Sequence, residues 1–173
     1  MEKLPASGRV KNIGVSNFGI THLEKLLPTV TVVPAVNQVE LHPNNPSPLL
    51  VAYNASKGIH STAYSCLGST DSPLAKDKTL AEIAKKYGKS TQQVLLVWGL
   101  QNGFSVIPKS VTKSRIVANF DIDGLVLSDE DFKALSSLED RFKVCGDNWL
   151  PEGAKCYFYD VDSKKYTLDN CRL

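Results

Sequence analysis

The sequence is short of the features that mark specialised protein classes. It has four cysteines, Cys66, Cys145, Cys156 and Cys171, and no two are closely spaced. Metal and redox-motif readings therefore have little support, and free thiols in a reducing compartment are expected. No uninterrupted apolar run exceeds five residues, as at 94–98, against the ~20 that a bilayer-spanning helix needs. Residues 1–20 lack a basic stretch followed by an apolar core and a cleavage site, which argues against a secretory leader. Nor is one sign of charge in excess: 20 Lys+Arg oppose 18 Asp+Glu, a formal +2. Neither a nucleic acid nor an anionic membrane is suggested as a partner, and a small molecule is expected. A Gly-x-Gly-x-x-Gly fingerprint and a P-loop lysine motif are both missing, so a Rossmann or nucleotide-hydrolase reading lacks its main warrant.

What is present is ordinary in amount. The 173 residues are 42% hydrophobic and 22% charged, enough for one packed domain and unlike a disordered tail, a collagen or a coiled coil. Short β-prone segments alternate with helical ones, which predicts an α/β fold with a parallel sheet. The predicted strands are 10–15, 35–40, 61–65 and 105–109. The first helix is expected to open with a capping box at Thr21-His-Leu-Glu24, and the second at Ser47-Pro48, stopping at Lys57-Gly58. A polar loop at 68–78 leads to a helix with Leu80, Ile83, Ala84 and Tyr87 at helical spacing. A second capping box, Ser90-Thr-Gln-Gln93, opens the next helix. A short helix at 112–119 follows the fourth strand, and Ser128-Asp-Glu-Asp131 begins another. From residue 142 onward the pattern is irregular.

Polar residues stand at the carboxyl ends of all four predicted strands: Ser16-Asn17, Gln38 and Glu40, Tyr64-Ser65, and Lys109-Ser110. In parallel α/β architectures the loops converge at that edge and ligands bind there. Lys109-Ser110-Val111-Thr112-Lys113-Ser114-Arg115 surrounds a predicted helix start with cations and hydroxyls, a pattern that suits a phosphate as well as a solvated, capped surface helix. Ser16, Asn17 and Gln38 offer the donors and acceptors that a primary carboxamide requires, with capping as the competing role. Tyr64 can stack on an aromatic ring, donate a proton, or simply pack. His42, with no nucleophile motif beside it, reads as a structural imidazole in a turn. Asp71 and Asp77 read as turn-forming or solvated loop carboxylates.

Four ordered segments carry a more specific signal. Lys11-Asn-Ile13-Gly14-Val15-Ser16-Asn17-Phe18, Asn37-Gln38-Val39-Glu40-Leu41-His42-Pro43, Ala63-Tyr64-Ser65-Cys66-Leu67-Gly68-Ser69, and the stretch from Ile107-Pro108-Lys109 through Asn119-Phe120 together resemble the aldo-keto reductase family over residues 1–141. The resemblance implies a (β/α)8 TIM barrel that binds NADP(H) without a Rossmann fold and reduces aldehydes and ketones to alcohols. Carried across residue by residue, it implies that Ser16, Asn17 and Gln38 bind the nicotinamide carboxamide and Tyr64 stacks on the ring. It places Ser65, Leu67 and Ser69 along the pyrophosphate. It gives Lys109, Ser110, Val111 and Arg115 the adenosine 2′-phosphate, and Asn119 the adenine. Two cations around that phosphate favour NADPH over NADH. Ala118 departs from the acidic or polar residue that many members carry near the adenine.

The start, Met1-Glu-Lys-Leu, resembles the helix before the family's fifth strand. The resemblance thus implies the C-terminal half of the barrel: four βα units, an extra helix and a tail, divided as 1–141 and 142–173. The tyrosine, lysine, aspartate and histidine of the family's reaction would lie upstream, so no catalytic residue and no metal ligand is assigned in this chain. A complete barrel takes ~250 residues. The expectations are a fragment of an active cytoplasmic reductase, a half-barrel that self-associates or pairs with a separate half in a family usually monomeric, or a silent NADPH-binding module. An interaction protein without cofactor is the reading from another class, and the intact 109–119 pattern argues against it. The substrate, a small-molecule carbonyl compound, is not specified further. Trp149 and Tyr157-Phe158-Tyr159 read as tail packing or as pocket lining, and Cys171-Arg172-Leu173 resembles a peroxisomal address.

Overall fold

A computed structural model describes residues 1–69 and 72–145, and the alternation of strand and helix runs through them. In chain order the elements are α1 (Lys3–Ala6), β1 (Val15–Ser16), α2 (Ile20–Leu26), β2 (Val36–Glu40), α3 (Pro48–Ser56) and β3 (His60–Tyr64). Then follow α4 (Lys78–Tyr87), α5 (Thr91–Gln101), β4 (Ser105–Val106), α6 (Lys113–Phe120) and α7 (Asp129–Ser136). All strand pairs are parallel and the order is β1-β2-β3-β4. Parallel neighbours need a crossover, and α2, α3 and the α4–α5 pair provide the three. Each strand joins beside its predecessor without reversal. That is the winding of a barrel sheet, whereas a doubly wound sheet reverses direction at its switch point.

Several predicted boundaries are corrected. β1 is two residues long rather than 10–15, because before it only the Ala35 N–H reaches back, to the Ile13 carbonyl at 2.8 Å, and residues 10–12 are exposed. β4 stops at Val106 rather than 109. The Ile107 N–H still donates to Ala63 at 3.2 Å, but Pro108 has no N–H to continue the ladder. The Thr21–Glu24 capping box does not form. α2 starts two residues earlier behind Gly19, whose N–H donates to His22 Nδ1 at 3.2 Å. Ser47-Pro48 does open α3, with proline at the first helical position, though Ser47 makes no side-chain cap. Asp77 is more than a loop carboxylate: it accepts the Leu80 N–H at 2.7 Å and caps α4. The Ser90–Gln93 box forms as expected, at 3.0 and 3.2 Å.

The core gathers around α5. Gln93, Val94, Leu95, Leu96, Val97, Trp98 and Gly99 are all buried, so this helix is enclosed on every side. It packs against α4, α6 and β4. Gly99 allows that last approach, since a Cβ there would stand 2.7 Å from Val106 Cγ1. Trp98 meets Phe104 edge to face, with ring centroids 6.0 Å apart, and its indole N–H donates to Ser136 Oγ at 3.0 Å. The polar end of the aromatic payload is thereby satisfied within the core.

Asp131 fastens α7 to α4. Its carboxylate accepts from Lys86 Nζ, Tyr87 Oη and Ser128 Oγ, each at 2.7 Å. The Lys86 ammonium first, then the Ser128 and Tyr87 hydroxyls, hold the Asp131 carboxyl down at about 2. The folded value lies below the ~3.9 of an unfolded chain. This carboxylate therefore adds stability above about pH 4 and loses it as the pH falls toward 2. Asp131→Asn is expected to lower unfolding free energy by about 1–2 kcal/mol at pH 7. In urea titrations its deficit against the wild type should close between pH 4 and pH 2. A gap that stays constant would show that the carboxylate's charge is not what matters.

Candidate active site

The register decides which side chains meet. Ser16 lies opposite Gln38, Gln38 opposite Thr62, and Glu40 opposite Tyr64. Because side chains alternate along a strand, Ser16, Gln38, Glu40, Thr62 and Tyr64 share one face of the sheet near its carboxyl edge. The Gln38 carbonyl accepts from Ser16 Oγ at 2.9 Å and from the Asn17 N–H at 3.0 Å. Those bonds hold Asn17 at φ +58°, in the left-handed region. Its Oδ1 is buried without a hydrogen-bond partner. A buried amide oxygen left this way is costly, and a ligand N–H would satisfy it.

Tyr64 is half-buried beside Asn17 and the Cys145 thiol. Burial first, then the neighbouring Cys145 and the Glu40 carboxylate, push its phenol well above the ordinary tyrosine value. A phenol held that firmly protonated is a poor proton donor, and its flat ring is what remains to offer.

A second group converges one strand further on. Leu67, Ser69, Lys109, Ser110, Arg115 and Asn119 line one groove of about 730 Å³, in the range of small-molecule sites. Two cations and two hydroxyls around one cavity favour an anion with several acceptor oxygens. Ser69 adopts φ +62° and Ser65 +48°, so three of the four non-glycine residues with positive φ among those described are sequence candidates. Backbone strain of this kind gathers at binding sites. Gly68 sits at φ +71° where a Cβ would meet Ser72 Oγ at 2.7 Å and Leu74 Cδ1 at 2.8 Å, so the loop closes there only without a side chain.

Not every candidate joins these groups. Ser65 stands at the end of β3 and does not line the groove, and Val111 is 88% exposed at the turn before α6. Conversely, Ser90, Thr91 and Gln92 line it from the start of α5, and Ser114 from α6. Ser114 belonged to the cationic stretch already singled out, whereas the capping box was the one sequence signal for Ser90, Thr91 and Gln92, and it marked only a helix start. Asp71, Trp149, Tyr157 to Tyr159 and Cys171-Arg172-Leu173 lie outside the described residues.

Glu40 and His42 form a buried pair, Nε2 to Oε1 3.0 Å. His42 is thus the structural imidazole its turn suggested. The same carboxylate accepts the Val144 N–H at 2.5 Å and the Cys145 N–H at 2.8 Å. Asn44 adds two bonds, its Nδ2 to the Asp140 carbonyl at 2.7 Å and its carbonyl to the Phe142 N–H at 3.2 Å. Residues 140–145 are therefore clasped onto the rim beside Tyr64. Among the described residues, Cys66 and Cys145 are unpaired thiols, Cys66 buried and raised to about 11 by that burial.

A sequentially ordered parallel sheet with strained polar groups along its carboxyl edge defines a barrel-type α/β protein with a groove lined by Lys109 and Arg115. The sequence model of the Aldo/keto reductase family matches residues 1–140, and the chain belongs to that family. It is 44% identical over 140 residues to aldehyde reductase YPR1 of Saccharomyces cerevisiae, covering 80% of this chain and 44% of that one. A glycerol 2-dehydrogenase (NADP(+)) from the same yeast is 43% identical over 156 residues, covering 87% and 49%. Among solved structures, an aldo-keto reductase enzyme from a Medee basin deep-sea metagenome library aligns with TM-score 0.76 at 40% identity, over 79% of this chain and 51% of that one. The chain spans about half the length of the curated relatives it matches.

The family match corrects one sequence reading. It runs over residues 1–140, the N-terminal part of this chain, so it establishes membership of the family and not a C-terminal half of it. The expectation that the half with the catalytic tetrad is missing falls with that assignment. What stands is an α/β fold whose parallel sheet resembles the family's TIM barrel. Among the described residues no helix is long and apolar enough to cross a membrane.

Glu40→Gln is expected to leave the strands paired and loosen the clasp. A neutral amide presents one acceptor oxygen to three donors, and each bond to the charged group is worth about 1.5–3 kcal/mol. Amide hydrogen exchange at Val144 and Cys145 should accelerate at least tenfold, with β2 and β3 protected as before. Unchanged exchange at those two amides would refute the clasp.

Proposed function

We propose that the chain binds NADP(H) and serves the NADPH-dependent reduction of aldehydes or ketones to alcohols. The observation that carries this reading is the groove in which Leu67, Ser69, Lys109, Ser110, Arg115 and Asn119 converge. In this reading Lys109, Ser110 and Arg115 take the 2′-phosphate, with Val111 at the same turn, and Asn119 takes the adenine. Ser65, Leu67 and Ser69 line the pyrophosphate. Asn17, with its unpartnered Oδ1, accepts from the nicotinamide carboxamide together with Ser16 and Gln38, while Tyr64 supports the ring face. The buried acceptor and the cationic groove both fit the group. When bound, NADPH supplies a hydride to the carbonyl carbon, and the carbonyl oxygen takes a proton to complete the alcohol. The names of the relatives, an aldehyde reductase and an NADP(+) glycerol dehydrogenase, agree with that chemistry.

One observation favours a second reading, cofactor binding without turnover. Burial raises the Tyr64 phenol and so weakens it as an acid, and the tyrosine that shares an aspartate with a lysine, Tyr87, lies between α4 and α7 rather than at the strand ends. Two measurements separate the readings. NADPH should bind in fluorescence titrations, and more tightly than NADH. Arg115→Met should weaken NADPH about 10–100-fold, the worth of a charge-assisted bond, and leave NADH nearly unchanged. NADPH oxidation on a panel of simple aldehydes supports the reductase, whereas binding without oxidation supports the silent module. A folded chain that binds no NADPH would overturn both.

A further inference from the structure

Helix α6 carries Arg115 and Asn119, yet none of its residues is buried. Ile116, Val117 and Phe120 are 53%, 62% and 90% exposed, so apolar burial, the usual means of docking a helix, contributes little. What holds its carboxyl end is polar. Gln93 Nε2 donates to the carbonyls of Ala118 at 3.1 Å and Asp121 at 2.7 Å. Lys89 Nζ reaches the Asp121 carbonyl at 3.2 Å and its carboxylate at 2.9 Å. Carbonyls at a helix end lack amide partners of their own and must find them elsewhere. Gln93 is only 6% exposed, and its Oε1 is already engaged by the Ser90 N–H at 3.0 Å. One buried side chain therefore closes the start of α5 with its acceptor and ties down the end of α6 with its donors.

Those two helix segments line the same groove, with Ser90, Thr91 and Gln92 from the start of α5 and Ser114, Arg115 and Asn119 from α6. We infer that Gln93, which bonds to groove residues Ser90 and Ala118 without lining the groove itself, is a positioning residue that fixes the distance between the α5 and α6 segments and so keeps Arg115 and Asn119 in register with Lys109 and Ser110. The inference rests on the cofactor reading above for the identity of the ligand. Without the tether, α6 remains a helix but its placement becomes variable, and ordering it is charged against binding.

The discriminating substitution is Gln93→Glu. It keeps the oxygen that accepts from Ser90 N–H and removes the amide donor, while setting a carboxylate beside two carbonyls and Asp121. Gln93→Met, which adds no charge, is measured alongside in case the glutamate variant does not fold. The expected result is amide exchange at residues 115–120 about tenfold faster, with α4 and the middle of α5 protected as in the wild type. The dissociation constant for 2′,5′-ADP, which carries the adenosine and the phosphate alone, should rise about tenfold. A merely stabilising role would instead lower protection throughout the chain. Unchanged exchange in α6, or unchanged 2′,5′-ADP affinity in a variant whose α6 has loosened, would overturn the inference. If the wild type binds neither 2′,5′-ADP nor NADPH, the cofactor reading fails, and exchange in α6 alone decides whether Gln93 tethers it.

Discussion

Asn37 is the constraint on which the site depends. It is fully buried in β2, one of the two strands paired on both sides. Its Nδ2 donates to the Phe18 carbonyl at 2.7 Å and lies 3.4 Å from Asn54 Oδ1, while its Oδ1 accepts the Phe18 N–H at 3.4 Å. Asn54 in turn donates to Ser61 Oγ at 3.0 Å. A buried amide must find its partners inside the protein. These partners are available only if the turn after β1 folds back over β2 and α3 lies against β3. The left-handed conformation of Asn17 and the nearness of its side chain to Tyr64 follow from that requirement.

Two kinds of attachment then divide the molecule. α5 is held by burial on every side and belongs to the core, whereas α6 and residues 140–145 are held by polar clasps centred on Gln93 and Glu40. Burial is cooperative and resists local opening, while a few hydrogen bonds can release one element without unfolding the rest. The groove is thus lined by one element of each kind, α5 fixed in the core and α6 tied down by polar bonds. Local opening of α6 therefore changes one side of the groove without disturbing the core.

Much of this was legible in the residues. The alternation of β-prone and helical segments, the Ser90–Gln93 box and the helix stop at Lys57-Gly58 are local signals, and each appears where the spacing puts it. The boundaries that moved did so because of partners the spacing cannot show: β1 is short since residues 10–12 have no neighbouring strand, and β4 ends where Pro108 breaks the ladder. The groove was legible in part. Lys109 to Arg115 marked a cationic turn suited to a phosphate or to a solvated helix start, but Thr91 and Gln92 arrive from a helix about twenty residues upstream. Their part in it depends on how α5 packs, which no local pattern records.

The sequence by itself determined the class of architecture, the carboxyl-edge location of the polar residues and the family, since periodicity and short motifs are properties of neighbouring residues. Only the tertiary structure decided which of those residues share a cavity, that Asn17 carries an unpartnered buried oxygen, that burial raises the Tyr64 phenol, and that Gln93 and Glu40 hold α6 and residues 140–145. Those are relations across sheet register and helix packing, between groups as far apart as residues 40 and 145. The cationic stretch from Lys109 to Arg115 is the clearest case: its charge is written in the chain, and the groove that gives the charge a purpose exists only once α5 and α6 are set side by side.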